Sequence, residues 1–191
     1  MKATHIGPGD ALIVVDVQRD FLPGGALGVP AGDEVIAPIN RMVGMFERAG
    51  LPIFYARDWH PANHVSFKAR GGPWPRHCVA GTEGAAFAPT LRVPPTAVIV
   101  SKATTPDRDA SSAFQETTLA SQLRAAGVRR VYVGGLATEF TVKATVLDAK
   151  REGFDVKVLA DAVRAVEVQP GDGLRALQEM QQSGAQLTTR C

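Results

Sequence analysis

Two rhythms of apolar residues alternate along this chain. Short continuous runs give way to longer stretches in which apolar positions recur every three or four residues. Ala11–Val17 (ALIVVDV) is the first run, with Asp16 near its end, and it reads as a strand buried on both faces. Over Asp33–Gly50, Val35, Ile36, Ile39, Met42, Val43 and Phe46 fall at helical spacing. Asp33 is placed to cap that helix and Gly50 to end it. Pro38 falls near the first turn, where its missing N–H does least harm. Pro52–Arg57, Thr96–Lys102, Val128–Gly134, Phe154–Ala160 and Ala185–Thr189 read as further strands. Thr117–Gly127, Thr138–Gly153 and Gly171–Gly184 read as helices. This alternation predicts an α/β fold: a doubly wound, mainly parallel six-stranded sheet with right-handed crossovers and helices on both faces.

The stretch 58–95 breaks the rhythm. It is rich in Pro, Gly and His, and an irregular loop of that length inside a compact domain is usually functional. The chain of 191 residues suits one domain over 1–191. Its formal charge of +2 is spread without a basic run, which argues against a nucleic-acid partner. No apolar stretch approaches the ~20 residues of a membrane helix, and the opening MKATHIGPGD lacks the apolar core of a secretory signal. The two cysteines, Cys78 and Cys191, do not suggest a disulfide scaffold. A reducing, cytoplasmic setting is expected; self-association is left open.

In open parallel sheets, ligands bind beyond the carboxyl ends of the strands. Those ends carry Asp16, Asp58, Lys102 and the turn from Gly134 to Thr141. An acid and an amine at one rim could hold and deprotonate a nucleophile, or form a structural ion pair. Three of the four histidines, His60, His64 and His77, lie close together in sequence, with Asp58 two residues before the first. A carboxylate with imidazoles is a ligand set for Zn, Fe or Mn; scattered loop histidines are the plain alternative. In GGLATEFTVKATVLDA a strand passes through two glycines into a helix, whose first amides favour negative charge. Thr141 stands where a nucleophile could meet those donors, although on the residues alone an ordinary first-turn threonine behind a Thr138 cap is the favoured reading. Phe21 and Trp74 could sandwich a flat ring or simply pack.

Taken together, VDVQRDFLPGGAL, ARDWHPANHVSF, WPRHCVAGTEGAAF, SKAT and GLATEFTVKATVLDA resemble the nicotinamidase and pyrazinamidase group of the isochorismatase-like (cysteine hydrolase) superfamily. The motifs occur in family order and span nearly the whole chain. The resemblance implies a single hydrolase domain that converts nicotinamide to nicotinate and ammonia with one divalent metal ion. It implies Asp16 as general base, Lys102 as its cationic partner and Asp58, His60, His64 and His77 as metal ligands. The substrate's ring nitrogen would complete the coordination sphere. Phe21 and Trp74 would stack on the ring, and the amides of Ala137 and Thr141 would form an oxyanion hole, with a cis peptide before Ala137.

The chain departs from the family at one decisive place: Thr141 stands where the family has its nucleophilic cysteine. A thiol near pKa 8.5 is readily made a thiolate by a neighbouring cation, whereas an alcohol needs a stronger base arrangement. Impaired turnover is therefore expected. Cys78 reads as a buried small hydrophobe rather than a substitute. Three accounts fit: a substitution introduced to hold substrate without turnover, a binding protein derived from an enzyme, or a working oxygen nucleophile. The intact ligands, Asp16 and Lys102 favour the first. A non-catalytic binder of pyridine metabolites and a related amidase with another substrate are the alternative functions.

Overall fold

The computed structural model describes residues 5–189. Cys191 and the opening residues 1–4 lie outside the described residues. In chain order the elements are β1 (Asp10–Val15), α1 (Ile36–Arg48), β2 (Ile53–Asp58), β3 (Val98–Lys102), α2 (Leu119–Ala125), β4 (Arg130–Leu136), α3 (Lys143–Arg151), β5 (Asp155–Arg164), α4 (Asp172–Gln182) and β6 (Gln186–Thr188). The strands form one six-stranded sheet in the order β3-β2-β1-β4-β5-β6. Every pairing is parallel. The expected doubly wound α/β sheet is thus present, with its topological switch between β1 and β4.

The two-residue period of β1 divides the core. Leu12 and Val14 face α1, where Ile39, Met42, Val43 and Phe46 are fully buried. Ala11, Ile13 and Val15 face the opposite layer, made by Leu119 and Leu123 of α2, Val146 and Ala149 of α3 and Ala176 and Met180 of α4. Successive strand side chains alternate faces, so a run apolar at every position is what a sheet covered on both sides requires. Each fully buried Leu, Ile or Phe contributes roughly 1.5–3 kcal/mol.

Several expected boundaries move. Asp33 lies in a 3-10 turn, Gly32–Val35, ahead of α1 and makes no side-chain cap. Pro38 is the third residue of α1, within its first turn as expected. The helix expected over Thr138–Gly153 is divided: a wide π turn, Thr138–Val142, precedes α3, and Phe140 within it has φ −108°, ψ −105°. Thr138 caps nothing; the residue at the cap position is Ala137. β4 continues to Leu136 and β5 to Arg164, further than their apolar runs suggested. No helix among the described residues is long and apolar enough to cross a membrane.

Candidate active site

The three adjacent strands β3, β2 and β1 deliver their last side chains to one rim. β1 ends at Val15, and Asp16 turns sharply out of it in the left-handed region, with φ 52°. This conformation is less costly for Asp than for most residues. β3 pairs in register with β2 so that Lys102 lies opposite Asp58. Ala103, next along, also has positive φ, at 51°. Asp16, Asp58 and Lys102 are all buried, Lys102 with only 2 % of its surface exposed.

Lys102 Nζ lies 3.0 Å from Asp16 Oδ2 and also donates to Asp58 Oδ1. One ammonium therefore serves two carboxylates, and the three groups titrate as a unit. Burial raises the Asp16 carboxyl, Lys102 opposes it and Asp58 adds to it; the net effect pushes Asp16 up to about 7. Burial would raise Asp58 too, but Lys102, joined by His60 when its ring is protonated, holds it well below the usual carboxylate range. Burial would lower Lys102, and the two carboxylates more than offset this, so its ammonium is held more firmly than usual. The Thr141 hydroxyl lies beside Asp16 and favours its charged form.

A second cluster shares Asp58. Asp58, His60 and His77 each offer a ligand atom, all within 4.8 Å of one another, and all three residues are buried. His60 Nδ1 lies 3.1 Å from the Ala103 carbonyl, and His77 Nδ1 2.8 Å from that of Pro75. A carbonyl can only accept, so both Nδ1 atoms carry the proton and both Nε2 lone pairs are free in the neutral rings. His60 Nε2 is buried without a hydrogen-bond partner and lies 3.4 Å from Asp58 Oδ2; His77 Nε2 lies 3.9 Å from the same oxygen. An orphaned imidazole nitrogen aimed at a carboxylate, its other nitrogen fixed by a carbonyl, fits a divalent metal such as zinc.

His64 stands apart from this group. Its ring stacks on His60 at 4.1 Å. Its Nδ1 engages Ser66 Oγ at 2.7 Å and its Nε2 the Arg108 carbonyl at 2.9 Å. With both nitrogens occupied it offers no lone pair, so the expected four-ligand set becomes three in this structure.

A cleft of about 160 Å³ opens over both clusters. Its volume is on the order of the ~150 Å³ cavity known to hold one benzene. Asp16, Asp58, His60, His77, Lys102, Ala137 and Thr141 line it, with Phe21 and Trp74 at its walls. The residues expected at the site thus converge, apart from His64. Phe21 lies 5.6 Å from His77, ring to ring, and Trp74 meets Phe140 edge-on at 5.7 Å. Phe140 was not anticipated, because its place inside a π turn has no signature in the apolar pattern. The Leu136–Ala137 peptide is cis, as the resemblance implied. Cys78 is fully buried and does not line the cleft, and burial pushes its thiol well above the ordinary range.

Comparison with known proteins identifies relatives of the same fold. A family model described as an isochorismatase domain matches residues 10–190. The chain is 39% identical over 203 residues to a nicotinamidase of Escherichia coli (strain K12), with 95% of each chain covered. It is similar to the crystal structure of a pyrazinamidase of Pyrococcus horikoshii in complex with zinc, with a TM-score of 0.92, 53% identity and 95% and 99% of the two chains covered. It is also similar to PnC1 from L. infantum in complex with nicotinate, with a TM-score of 0.90, 35% identity and 99% and 96% covered.

Proposed function

The chain belongs to the isochorismatase-domain family, and from that premise we propose that it is a metal-dependent amide hydrolase directed at nicotinamide and similar aromatic amides, slowed by the threonine at position 141. The observation that carries this reading is the convergence of Asp16, Lys102 and Thr141 with Asp58, His60 and His77 in one ring-sized cleft.

Asp58, His60 and His77 would hold the metal, which when bound would supply a Lewis-acid anchor for a ring nitrogen. Phe21 and Trp74 bound the cleft where a flat ring would lie. Asp16 is the general base: a carboxyl near 7 is suited to accept a proton at neutral pH and return it to a leaving amine. Lys102 holds Asp16 in place and favours its charged form. The amides of Ala137 and Thr141 would face the oxygen of the tetrahedral intermediate. Nucleophilic attack on the amide carbon would expel ammonia, with its extra proton from Asp16, and water would then release the acid.

Thr141 changes the first step. Asp16 is matched to a thiol proton and not to that of an alcohol, and the β-branched side chain adds a methyl group and a stiff χ1. The backbone donors, the metal ligands and the ring walls do not depend on that side chain. Binding with feeble turnover is therefore the expected behaviour, the loss falling mainly on kcat. Ammonia release and equilibrium binding, measured for this chain and for Thr141→Cys on a panel of aromatic amides, test the reading. Thr141→Cys should raise turnover by several orders of magnitude with little change in affinity. Turnover of roughly 1 per second or more in the parent would make Thr141 a working nucleophile. An inert Thr141→Cys would favour a non-catalytic binder of pyridine metabolites.

A further inference from the structure

We infer that Gln18 and Asp20, on the segment leaving β1, are positioning residues of the metal centre, each holding the backbone of a ligand segment. The inference rests on Asp58, His60 and His77 being the ligands.

β1 and β2 pair only as far as Val15 and Ala56, because the chain turns away at Asp16. The end of β2, which carries Asp58, has therefore lost its neighbour on the β1 side. The side chain of Gln18 stands in for the missing strand. It is fully buried. Its Nε2 donates to the Asp58 carbonyl at 2.8 Å and to the Ala85 carbonyl at 2.9 Å. Its Oε1 accepts from the Asp58 N–H at 2.8 Å. A primary amide has the same donor and acceptor as a peptide, so Gln18 grips both backbone groups of one ligand and ties them to the far side of the loop.

Asp20 does the same for the second segment. Its Oδ2 accepts the N–H of Cys78 at 2.8 Å. Cys78 follows His77 and adopts the left-handed region, with φ 46°, which a residue bearing a Cβ rarely enters without outside support. The Cys78 carbonyl accepts the His60 N–H at 2.9 Å, so this turn links two imidazoles. A Cβ on Gly84 would sit 2.2 Å from the Asp20 carboxylate; the glycine leaves room for it. Alternate residues 16, 18 and 20 thus present the general base and two backbone clamps from one short segment.

The test is Zn²⁺ titration of the metal-free full chain and of Gln18→Met, Asp20→Leu and Asp20→Asn, with the melting temperature of each metal-free form. Outer partners of ligands typically contribute 10–100-fold in metal affinity. Gln18→Met and Asp20→Leu should each weaken Zn²⁺ binding by roughly that factor, and Asp20→Asn, which keeps an acceptor oxygen, should restore it. Lower melting temperatures with unchanged Zn²⁺ affinity would overturn the inference and leave both residues as ordinary loop anchors. If Gln18→Met does not fold, the two Asp20 variants decide. A parent chain that binds no Zn²⁺ would instead overturn the ligand assignment and, with it, this inference.

Discussion

One ammonium between two carboxylates makes pH the most direct probe of individual residues here. Asp16 is raised from 3.8 to about 7, chiefly by burial. Between those values the folded protein keeps a proton that the unfolded chain releases. The stabilisation from protonated Asp16 is therefore complete below about pH 4 and lost as the pH rises through 7. Asp58 runs the other way: held low, it stabilises above the ordinary carboxylate range and ceases to do so as the pH falls. Asp16→Asn removes the first effect and leaves Lys102 to Asp58 alone, which keeps Asp58 low across the neutral range. In metal-free protein its melting temperature relative to the parent should climb between pH 5 and pH 8. A gap that stays constant across that range would show that Asp16 is not the titrating group. Asp16, Lys102 and Thr141 could be placed at one rim from sequence because strand ends are visible in the apolar pattern. The stacking of His64 on His60, with both nitrogens committed, could not: Ser66 is only two residues away, but the Arg108 carbonyl that occupies the second nitrogen becomes a neighbour only on folding.

Among the elements, β4 and the π turn after it are the least forgiving. Gly135 has φ 132°, and a Cβ there would lie 2.0 Å from the Val15 carbonyl, the residue paired with it across the switch point. No rotamer relieves a clash between backbone and Cβ. Gly135→Ala should destabilise the fold by about 3 kcal/mol or more, read as a lower urea midpoint with unchanged slope; a loss under about 0.5 kcal/mol, typical of an unconstrained surface site, would contradict this geometry. The strands and helices were legible because buried parallel strands read as continuous apolar runs and α1 carries a clean helical stripe. The π turn was not, since Thr138–Val142 continues helical spacing and its break lies in the backbone angles of Phe140. The long loop stands out in the sequence by its length and composition, but its short pairings, His60 with Val79 and Phe67 with Trp74, involve too few residues to leave a pattern.

Across the whole molecule, the proposed ligands join the sheet to the long loop. Asp58 ends β2 and His77 belongs to the loop, so an ion bound there would clamp the loop to the sheet. Zn²⁺ at a hundredfold excess over its dissociation constant should stabilise the protein by about 2.7 kcal/mol. A chelator should remove that gain. Equal melting temperatures with and without Zn²⁺ would count against a metal site here. The topology explains why such a site can exist at all: the order β3-β2-β1-β4-β5-β6 sends the connections from β1 and β4 in opposite directions, and the crevice opens between them.

A pyridine nitrogen joins a coordination sphere only through its lone pair. Attaching a methyl group or a sugar to that nitrogen consumes the pair and leaves a fixed positive charge. On the proposed reading, such a pyridinium would enter a cleft of about 160 Å³ with nothing to offer the ion held by Asp58, His60 and His77, and with a charge that ion repels. The free base and the same ring carrying a substituent on its nitrogen are then told apart by an available lone pair rather than by shape. N-methylnicotinamide should fail to displace nicotinamide even where benzamide, equally flat but uncharged, retains weak binding. A nicotinamide ring substituted on its nitrogen would be spared although its amide is the same.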